Sequence, residues 1–497
     1  MNLISIIIPL ISYLLQVWPR IFKKNFGVDV WTRLLEIDHI RKNNHKIPQQ
    51  KLAKQFIIEG YFDYPPFFPT LLSFVPKDKL LKIEGFIAPV FDALQVLLVY
   101  FVAVFITNNP YLALAAQGIY MLTPMIALEN SYLTPRSLGY LNFSLAVTPL
   151  LLYYYFQLPV LLFTGLFFSV SIFLTHRFAT QSFLFISIFF TFFLKSTLFI
   201  NVFLGSFIMA IAVTRGYYLR VLKGHLSNIY FWVKNLDYRF AHQIRGLKKE
   251  NKKTDWVGQI YRFLSMFSPI AVFGLNPWAA SGFIALLLTH FGVISLTPIL
   301  NSFVAWTLFF YFFGVLVLKI KYLMPIGEGQ RYMEMATLPS AILSAYLVFE
   351  LIQIGFKAPI IIGVTLLGIF NFLLVLFIQA KGVINDKNRS LTPALQNVFN
   401  YINKQKKTMR IICIPHQNTT LTIYHTSSQV FVNADNPGLL KIMDVYPILK
   451  KPLLEIAKEY ELSHVLIRTG FVTLKELNLK KKDIEFEQGD IKLVRLS

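Results

Sequence analysis

Long apolar stretches separated by polar turns dominate the first 380 residues of the chain. Runs of about 20 apolar residues match the hydrocarbon thickness of a bilayer, so each run is a candidate membrane helix. Residues 180–214 and 258–297 each fit one span or two. No small-residue cleavage pattern follows the first run, which therefore predicts a retained span and not a removed signal peptide. The pattern predicts about eleven spans, at residues 2–18, 86–107, 110–128, 137–156, 158–175, 180–195, 197–214, 268–292, 299–320, 338–356 and 358–380.

Two of the polar connections are much longer than the others. Residues 19–85 form the first long loop, and within it residues 30–42 carry apolar side chains at helical spacing. That spacing predicts a helix lying in the membrane interface. Residues 215–258 form the second long loop, in which aromatic and basic residues alternate, and this loop is also expected at the interface.

From residue 383 onward the composition becomes that of a soluble domain. Short apolar or alternating runs predict strands, and residues 442–460 have helical spacing. We therefore expect an α-helical polytopic membrane domain at 1–382 and a small α/β domain at 383–497. The predicted strands are 409–415, 421–425, 429–432, 464–468 and 490–495.

Composition excludes several classes of protein. Of the 497 residues 55% are hydrophobic and 15% are charged, whereas soluble proteins carry about 25% charged residues. The single cysteine, Cys413, excludes a disulfide scaffold, a cysteine-based zinc site and a haem attachment motif. The net charge of +22 comes without any nucleic-acid-binding motif. It fits attraction to anionic lipid headgroups, a substrate that carries phosphate, or both.

With eleven spans, both long loops and the C-terminal domain fall on one face of the membrane. The 19–85 loop holds 12 Lys and Arg residues, and basic loops are usually retained in the cytoplasm. This bias favours a cytoplasmic location for that face. The rule weakens for loops longer than about 60 residues and for whole domains.

Carboxylates in the first loop are candidates for general-base chemistry. Asp29 precedes the predicted interfacial helix, and Asp63 with Tyr64 opens an Asp-Tyr-Pro-Pro segment. A carboxylate at the membrane surface can remove the proton from a sugar hydroxyl as that hydroxyl attacks. The competing interpretations are a helix cap for Asp29 and a rigid turn for Asp63.

The turn between the third and fourth predicted spans has an acid at one end and a base at the other. Glu129 and Arg136 either pair with each other or supply a carboxylate and a phosphate-binding cation to a site. Asp29 and Glu129 together are candidate ligands for Mg or Mn, because oxygen ligands suit these ions. Asp92 lies inside a predicted span, where a carboxylate is costly and is either functional or hydrogen-bonded to a neighbouring helix.

Two further turns carry groups that suit a phosphate. His176 and Arg177 close one turn, and both side chains can donate hydrogen bonds to phosphate oxygens. Arg331 and Tyr332 follow two flexible glycines, so that the arginine is a candidate for phosphate and the tyrosine for a lipid chain or sugar ring. Interfacial snorkelling and an ordinary loop are the competing interpretations.

These segments together resemble the GT-C superfamily of integral-membrane glycosyltransferases, which use polyprenyl-phosphate-linked sugar donors. The first-loop segment at residues 27–31 is similar to the first-loop aspartate of oligosaccharyltransferases. Residues 62–66 resemble a segment of glucosyltransferases that extend lipid-linked oligosaccharides. The turns at 129–136, 175–177 and 328–334 are similar to those of prokaryotic members. The sequence departs from oligosaccharyltransferases in lacking a WWD-type motif, which argues against transfer to asparagine.

The resemblance implies a role for each candidate residue. Asp29 is expected to activate the acceptor or, as in oligosaccharyltransferases, to bind a metal ion together with Glu129. The expected substrate-binding residues are Asp63, Tyr64, Glu129, Arg136, His176, Arg177, Arg331 and Tyr332.

Sugar transfer from a lipid-linked donor, with inversion, to an extracytoplasmic glycan, lipid or protein is thus the predicted function. The expected location is the cell membrane with an extracytoplasmic active face. A polysaccharide polymerase or ligase is an alternative, although such enzymes usually have their long catalytic loop late in the chain. A lipid or polysaccharide transporter is another, which predicts midplane polar residues and two similar halves.

Overall fold

The computed structural model describes residues 3–52, 55–129, 132–238, 273–385 and 390–496. Part of the predicted loop at 215–258 and the start of the predicted span at 268–292 lie outside these ranges. In chain order the helices of the described ranges are α1 (Ile4–Phe22), α2 (Val28–Lys42), α3 (Phe67–Ser73), α4 (Lys77–Thr107), α5 (Pro110–Met121), α6 (Pro124–Glu129), α7 (Arg136–Phe156), α8 (Pro159–Thr175), α9 (Arg177–Phe193), α10 (Leu198–Val213), α11 (Tyr217–Lys234), α12 (Ala280–His290), α13 (Pro298–Lys319), α14 (Gly329–Glu334), α15 (Thr337–Gln353), α16 (Lys357–Gln379), α17 (Pro393–Lys404), α18 (Thr419–His425) and α19 (Leu453–Glu459).

Apolar helices occur throughout the predicted membrane segments. Within the described ranges α1, α4, α13 and α16 are long and apolar enough to cross a bilayer. The pair α10 and α11 adds a fifth span if it is counted as one. Helices α8, α9 and α15 are apolar but shorter. The predicted class, a mostly helical integral membrane protein, is confirmed, and the number of eleven spans stays a prediction.

The ambiguous stretch at 180–214 contains two helices. A break separates α9 from α10, and at this break Lys195 has a positive φ of 52°. Such a left-handed residue ends the helical hydrogen-bond ladder. Apolar periodicity continues across the break, which is why the sequence pattern alone fits one span or two.

A six-stranded sheet contains four of the five strands predicted near the C-terminus. Its order is β1–β3–β2–β4–β6–β5, in which β1 to β4 are parallel and β6 and β5 are antiparallel to their neighbours. The parallel strands β2 and β4 are apolar runs with buried side chains, as expected for the centre of a covered sheet. The strands are β1 (Phe56–Ile58), β2 (Arg410–Ile414), β3 (Gln429–Asn433), β4 (His464–Arg468), β5 (Ile484–Gln488) and β6 (Ile491–Arg495).

The strand predicted at 421–425 was wrong, because this segment is the helix α18. Its β-branched residues favour a strand locally. In the fold, Tyr424 and His425 of α18 place their rings 5.3 and 4.6 Å from the ring of Trp31, which is fully buried. Burial of the large tryptophan side chain outweighs the small local preference for a strand.

The chain forms two compact units. The first comprises Met1–Lys24, Lys82–Tyr218 and Thr254–Asn385, and the second comprises Asn25–Leu81, Leu219–Lys253 and Asp386–Ser497. The first unit is built of membrane helices, among which α7 and α8 approach closely at Gly165, where an added Cβ would lie 2.6 Å from Leu150. The second unit contains the sheet, and its edge strand β1 comes from the first loop.

Candidate functional site

His176 caps the helix that begins at Arg177. Its ring nitrogen Nδ1 accepts a hydrogen bond of 3.3 Å from the backbone N–H of Ala179. In the neutral ring an accepting Nδ1 places the proton on Nε2, so Nε2 carries the donor hydrogen. His176 is 7% exposed and therefore has a defined orientation.

Gly139 allows the start of α7 to pack against this histidine. A Cβ at position 139 would lie 2.7 Å from the Cβ of His176, so glycine is required for the approach. Helix α7 begins at Arg136, which is 3% exposed. The N-terminal ends of α7 and α9 thus lie beside each other, each with a basic residue. Helix N-termini and cations both attract anions.

The loop before α14 packs against the turn that carries His176. The ring of Tyr332 lies 4.4 Å from that of Phe178 and is fully buried. Its hydroxyl donates a hydrogen bond of 2.9 Å to the carbonyl of Ile326. At Gly327 φ is +145°, and a Cβ there would lie 2.7 Å from the Phe178 ring. The substrate contact of Tyr332 stays a prediction, since the contacts shown here hold the loop in place.

Arg331 and Arg177 are the more exposed cations of this region. The Nε of Arg331 donates to the carboxylate of Glu328 at 2.7 Å, and the Arg331 side chain is 30% exposed. Arg177 is partly exposed and acts electrostatically on Tyr218. Both side chains are therefore partly exposed.

Glu334 is a buried acid beside Arg136. It is the last residue of α14 and is 2% exposed. Neither of its carboxyl oxygens has a hydrogen-bond partner among the described residues. Burial raises the pKa of Glu334 to about 8, and the opposing effect of the Arg136 guanidinium is too small to prevent this. The carboxyl group is therefore mainly neutral at pH 7.

Asp92 belongs to a hydrogen-bonded group that joins three helices. Its carboxylate accepts hydrogen bonds from Gln16, from Ser12 at 3.4 Å and from the Tyr120 hydroxyl at 3.2 Å. Tyr120 also interacts electrostatically with Glu334. Of the two interpretations of Asp92, the structure shows the hydrogen bonds to neighbouring helices.

In the second unit, Asp29 is an exposed residue of the first turn of α2. The cap position belongs to Gly27, whose φ is +116°, so the cap interpretation of Asp29 was wrong. A carboxylate in the first helical turn is stabilised by about 0.3–1 kcal/mol through the helix dipole. The side chain is open to a ligand, as a base must be.

Arg33 places a fixed positive charge one helical turn from Asp29. Its guanidinium lies over the ring of Tyr64, with 3.6 Å between Cζ and the ring centroid, and forms an ion pair of 2.5 Å with Glu36. Burial alone lowers the pKa of Arg33, but Glu36, Tyr64 and Asp29 outweigh burial and raise it. Arg33 thus interacts with both Tyr64 and Asp29. No sequence motif marks this arginine.

Asp63 is engaged with the C-terminal part of the second unit. Its carboxylate accepts hydrogen bonds from the backbone N–H of Asn436 at 2.9 Å and from the Asn436 amide at 3.0 Å. The neighbouring Asp435 accepts from the backbone N–H of Tyr61 at 2.8 Å. Asp63 is 7% exposed. Its predicted contact with substrate stays a prediction, and the geometry shows a role in joining residues 61–63 to 435–436.

Of the two proposed metal ligands, Asp29 and Glu129, the structure describes the side chain of Asp29 alone. No group of three or more His, Cys, Asp or Glu residues suitable for a metal ion occurs in the described part of the chain. Asp29 offers one exposed carboxylate, and the side chain of Glu129 lies outside the description. A metal ion at Asp29 stays a prediction.

An apolar groove of about 470 Å³ runs along the membrane helices of the first unit. Gly118 and Ile119 of α5, Val348 of α15 and Gly368 of α16 contribute to its lining. Between the residues of α5 that line the groove lies Tyr120, which interacts with Glu334. Helix α5 therefore lines the groove and also carries Tyr120, whose side chain interacts with Glu334.

Known proteins of similar structure were found, although no protein-family model and no curated protein matches the sequence. An oligosaccharyltransferase from Archaeoglobus fulgidus, in complex with zinc and sulfate, has a TM-score of 0.59 at 12% identity, over 93% of this chain and 67% of that chain. ArnT from Cupriavidus metallidurans, bound to undecaprenyl phosphate, has a TM-score of 0.55 at 12% identity, over 99% and 97%. The chain has the fold of these GT-C membrane glycosyltransferases, so the fold implied by the resemblance is confirmed.

Proposed function

We propose that this protein transfers a sugar from a polyprenyl-phosphate-linked donor to an extracytoplasmic glycan, lipid or protein acceptor. The observation that carries the proposal is the group of basic side chains at two adjacent helix N-termini, Arg136, His176 and Arg177. Such a group suits the phosphate of a lipid-linked sugar as charge develops on it. The similar structure of ArnT is bound to undecaprenyl phosphate, a ligand of this chemical class.

The reaction is a single displacement at the anomeric carbon. The acceptor hydroxyl oxygen attacks that carbon, and Asp29 takes up the hydroxyl proton. The bond between the anomeric carbon and the phosphate oxygen breaks, and its electron pair leaves with the polyprenyl phosphate. Arg331, Arg136 and His176 stabilise the leaving phosphate, and the configuration at the anomeric carbon is inverted.

Arg33 places a positive charge one helical turn from Asp29, and the two side chains interact electrostatically. A divalent metal ion bound by Asp29 would supply Lewis-acid assistance to the acceptor instead.

The extracytoplasmic side is proposed as the active face. The 12 Lys and Arg residues of the 19–85 loop oppose this orientation. That loop exceeds about 60 residues, the length beyond which the charge rule loses its force. The resemblance to GT-C enzymes, which act on the extracytoplasmic face, supports the extracytoplasmic orientation of this loop.

Release of polyprenyl phosphate by the purified protein tests the proposal. The full-length chain in lipid nanodiscs is incubated with a panel of undecaprenyl-phosphate sugars and a mixture of glycan, lipid and peptide acceptors. We expect mass spectrometry to detect free undecaprenyl phosphate and a glycosylated acceptor. Absence of both cleavage and binding for every donor would contradict a transferase. Movement of intact donor across proteoliposomes without cleavage would favour a transporter.

The apolar groove is proposed to hold the polyprenyl tail. Substitution of Gly118 by Trp adds a bulky side chain to the lining of the groove at a position where nothing lies within 4 Å of an added Cβ. We expect KM for an undecaprenyl-phosphate donor to rise about tenfold through lost apolar contact, with little change for a farnesyl-phosphate donor. The control is Gly205→Trp in α10, also an open position. Equal effects on the long and short donors would place the tail elsewhere.

A further inference from the structure

Helix α11, which from Leu219 onward belongs to the second unit, exposes an apolar stripe along one face. Leu219, Leu226 and Val233 recur every seven residues, and Tyr230 follows Leu226 by four. These spacings place all four side chains of the stripe on the same face of a helix. Each of them is 46–55% exposed. Apolar side chains grouped in this way indicate a surface that contacts a partner or a membrane.

The opposite face of α11 packs against the second unit itself. The ring of Phe231 stacks on that of Tyr446 with 5.8 Å between centroids, and the ring of Trp232 lies 6.1 Å from that of Tyr446. The Asn228 amide donates a hydrogen bond of 3.1 Å to the side-chain oxygen of Asn436. Since each residue of a helix is turned by about 100°, these contacts lie on the side away from the apolar stripe. The helix is therefore fixed by one face and leaves the stripe on the outside.

Positive charge flanks the apolar stripe. Lys223 and Lys234 are exposed at one edge of it, and the Lys234 ammonium lies 5.4 Å from the centroid of the Tyr230 ring. The helix also contains Arg220, whose guanidinium lies over the ring of Tyr61. No aspartate or glutamate occurs in the sequence of α11. Lysines beside an apolar face place their alkyl chains in apolar surroundings and keep the ammonium group in the polar layer. This face therefore matches a bilayer whose headgroups are negatively charged.

The composition of α11 argues against a helix that crosses the bilayer. The preceding helix α10 has no charged residue, whereas α11 has three Lys or Arg residues and carries Ser227 and Asn228 in its middle. Charged side chains at the centre of a bilayer are costly. Helix α10 ends at a break in which Arg215 and Gly216 have positive φ values of 50° and 85°. A helix with one narrow apolar face and basic flanking residues lies in the plane of the interface.

We propose that α11 docks the second unit on the surface of a bilayer that contains anionic lipid. The apolar stripe enters the boundary between headgroups and acyl chains, and Lys223 and Lys234 bind the phosphates of the headgroups. A second copy of the chain fits this face less well, because α11 has no acidic residue that could pair with these lysines across such an interface. The proposal does not depend on the transfer of a sugar.

Fluorescence quenching in lipid nanodiscs tests this proposal. The full-length chain carries one added cysteine, Leu226→Cys or Tyr230→Cys, labelled with a fluorophore. The native Cys413 is 1% exposed, so the added cysteine is the thiol expected to react, and the unmodified chain gives the background. Each nanodisc holds one copy of the protein. Lipids with a nitroxide in the upper part of the acyl chain should quench both labels by at least about twofold, because an interfacial helix lies about 5–10 Å into this boundary.

Leu454→Cys is the matched control for these two positions. Leu454 is a leucine of α19 in the second unit and is 42% exposed, but its neighbour Glu455 and the nearby Glu459 are acidic. Its label should show little quenching by the same lipids. Equal quenching at positions 226 and 454, or no quenching at 226 and 230, would overturn the proposal.

Lipid composition tests the role of the two lysines. For Leu226→Cys, inclusion of about 30% phosphatidylglycerol in a phosphatidylcholine nanodisc should increase the quenching. Salt at about 0.5 M should reverse the increase by screening the charges. Addition of Lys223→Gln and Lys234→Gln should abolish the dependence on phosphatidylglycerol. The control pair, Lys458→Gln with Lys475→Gln, removes two other exposed lysines of the second unit and should retain it. The same response in both pairs, or none in the parent protein, would refute the role of the lysines.

Two further results would identify a different occupant of the stripe and overturn the proposal. A label at position 226 that is shielded from an aqueous quencher but not reached by the lipid quencher would show that the chain itself covers the stripe. Shielding that appears only in nanodiscs with two copies of the protein would show self-association. The measurements need no substrate, so a failure of the proposed transferase activity would leave the role of α11 unaffected.

Discussion

Replacement of Asp29 by Asn is expected to lower the rate of sugar transfer by about 10²–10⁴-fold. The amide is nearly isosteric with the carboxylate but cannot accept the acceptor proton, so donor binding should remain. The side chain is exposed in the first turn of α2, and the substitution should therefore leave the fold intact. The measurement is the initial rate of polyprenyl phosphate release, together with a separate donor-binding titration.

Asp78→Asn is the matched control for this experiment. Asp78 is likewise an exposed aspartate in the first turn of a helix, α4. Loss of a favourable helix-dipole interaction is common to both variants and costs about 0.3–1 kcal/mol. Only Asp29→Asn should lose turnover. Turnover at the wild-type rate in Asp29→Asn would remove this residue from the role of base.

Two substitutions of His176 are expected to distinguish its role as the cap of α9 from its proposed role as a hydrogen-bond donor to the leaving phosphate. Asn is among the best helix-capping residues, so His176→Asn should keep the bond from the Ala179 N–H and the thermal stability. His176→Ala loses the cap, which costs about 0.5–2 kcal/mol. Both variants lose the Nε2–H donor, and loss of such a donor to a developing charge lowers kcat by about 10²–10³-fold.

Thr297→Ala provides the comparison for cap loss without loss of a donor. Thr297 caps α13 by accepting the hydrogen bond of the Leu300 N–H. This variant should lose stability to a similar extent as His176→Ala, yet keep kcat per folded molecule. Full activity of His176→Asn would show that the histidine serves only to cap α9.

The Asp-Tyr-Pro-Pro segment shows how a recognisable motif can mislead about individual residues. The sequence presents Asp63 and Tyr64 as adjacent candidates. In the structure Asp63 binds the backbone and side chain of Asn436, whereas Tyr64 packs against Arg33 beside Asp29. Asp63 is engaged by Asn436, which lies 373 positions away in the chain. The local spacing of residues gives no information about such a distant contact.

Glu334 illustrates the opposite case, a residue whose local sequence looks ordinary. It ends the glycine-containing segment at 327–334, in which Arg331 and Tyr332 attract attention first. Its burial and its proximity to Arg136 arise only when α14 packs in the first unit. A sequence signal did exist, namely an acid within three residues of the next apolar helix, α15. That signal gives no information about hydrogen-bond partners.

The sequence by itself determined that this is a helical membrane protein, and it located most of the apolar helices and the strands β2, β3, β4 and β6. Those properties follow from hydrophobic periodicity, which each segment carries within its own residues. Only the tertiary structure decided that the three-residue β1 of the first loop belongs to the C-terminal sheet and that residues 421–425 are helical. It also decided that the Glu334 carboxyl group is buried near Arg136 without a hydrogen-bond partner among the residues that the structure describes. Those properties depend on contacts between residues distant in the chain, where burial and charge balance outweigh local preference.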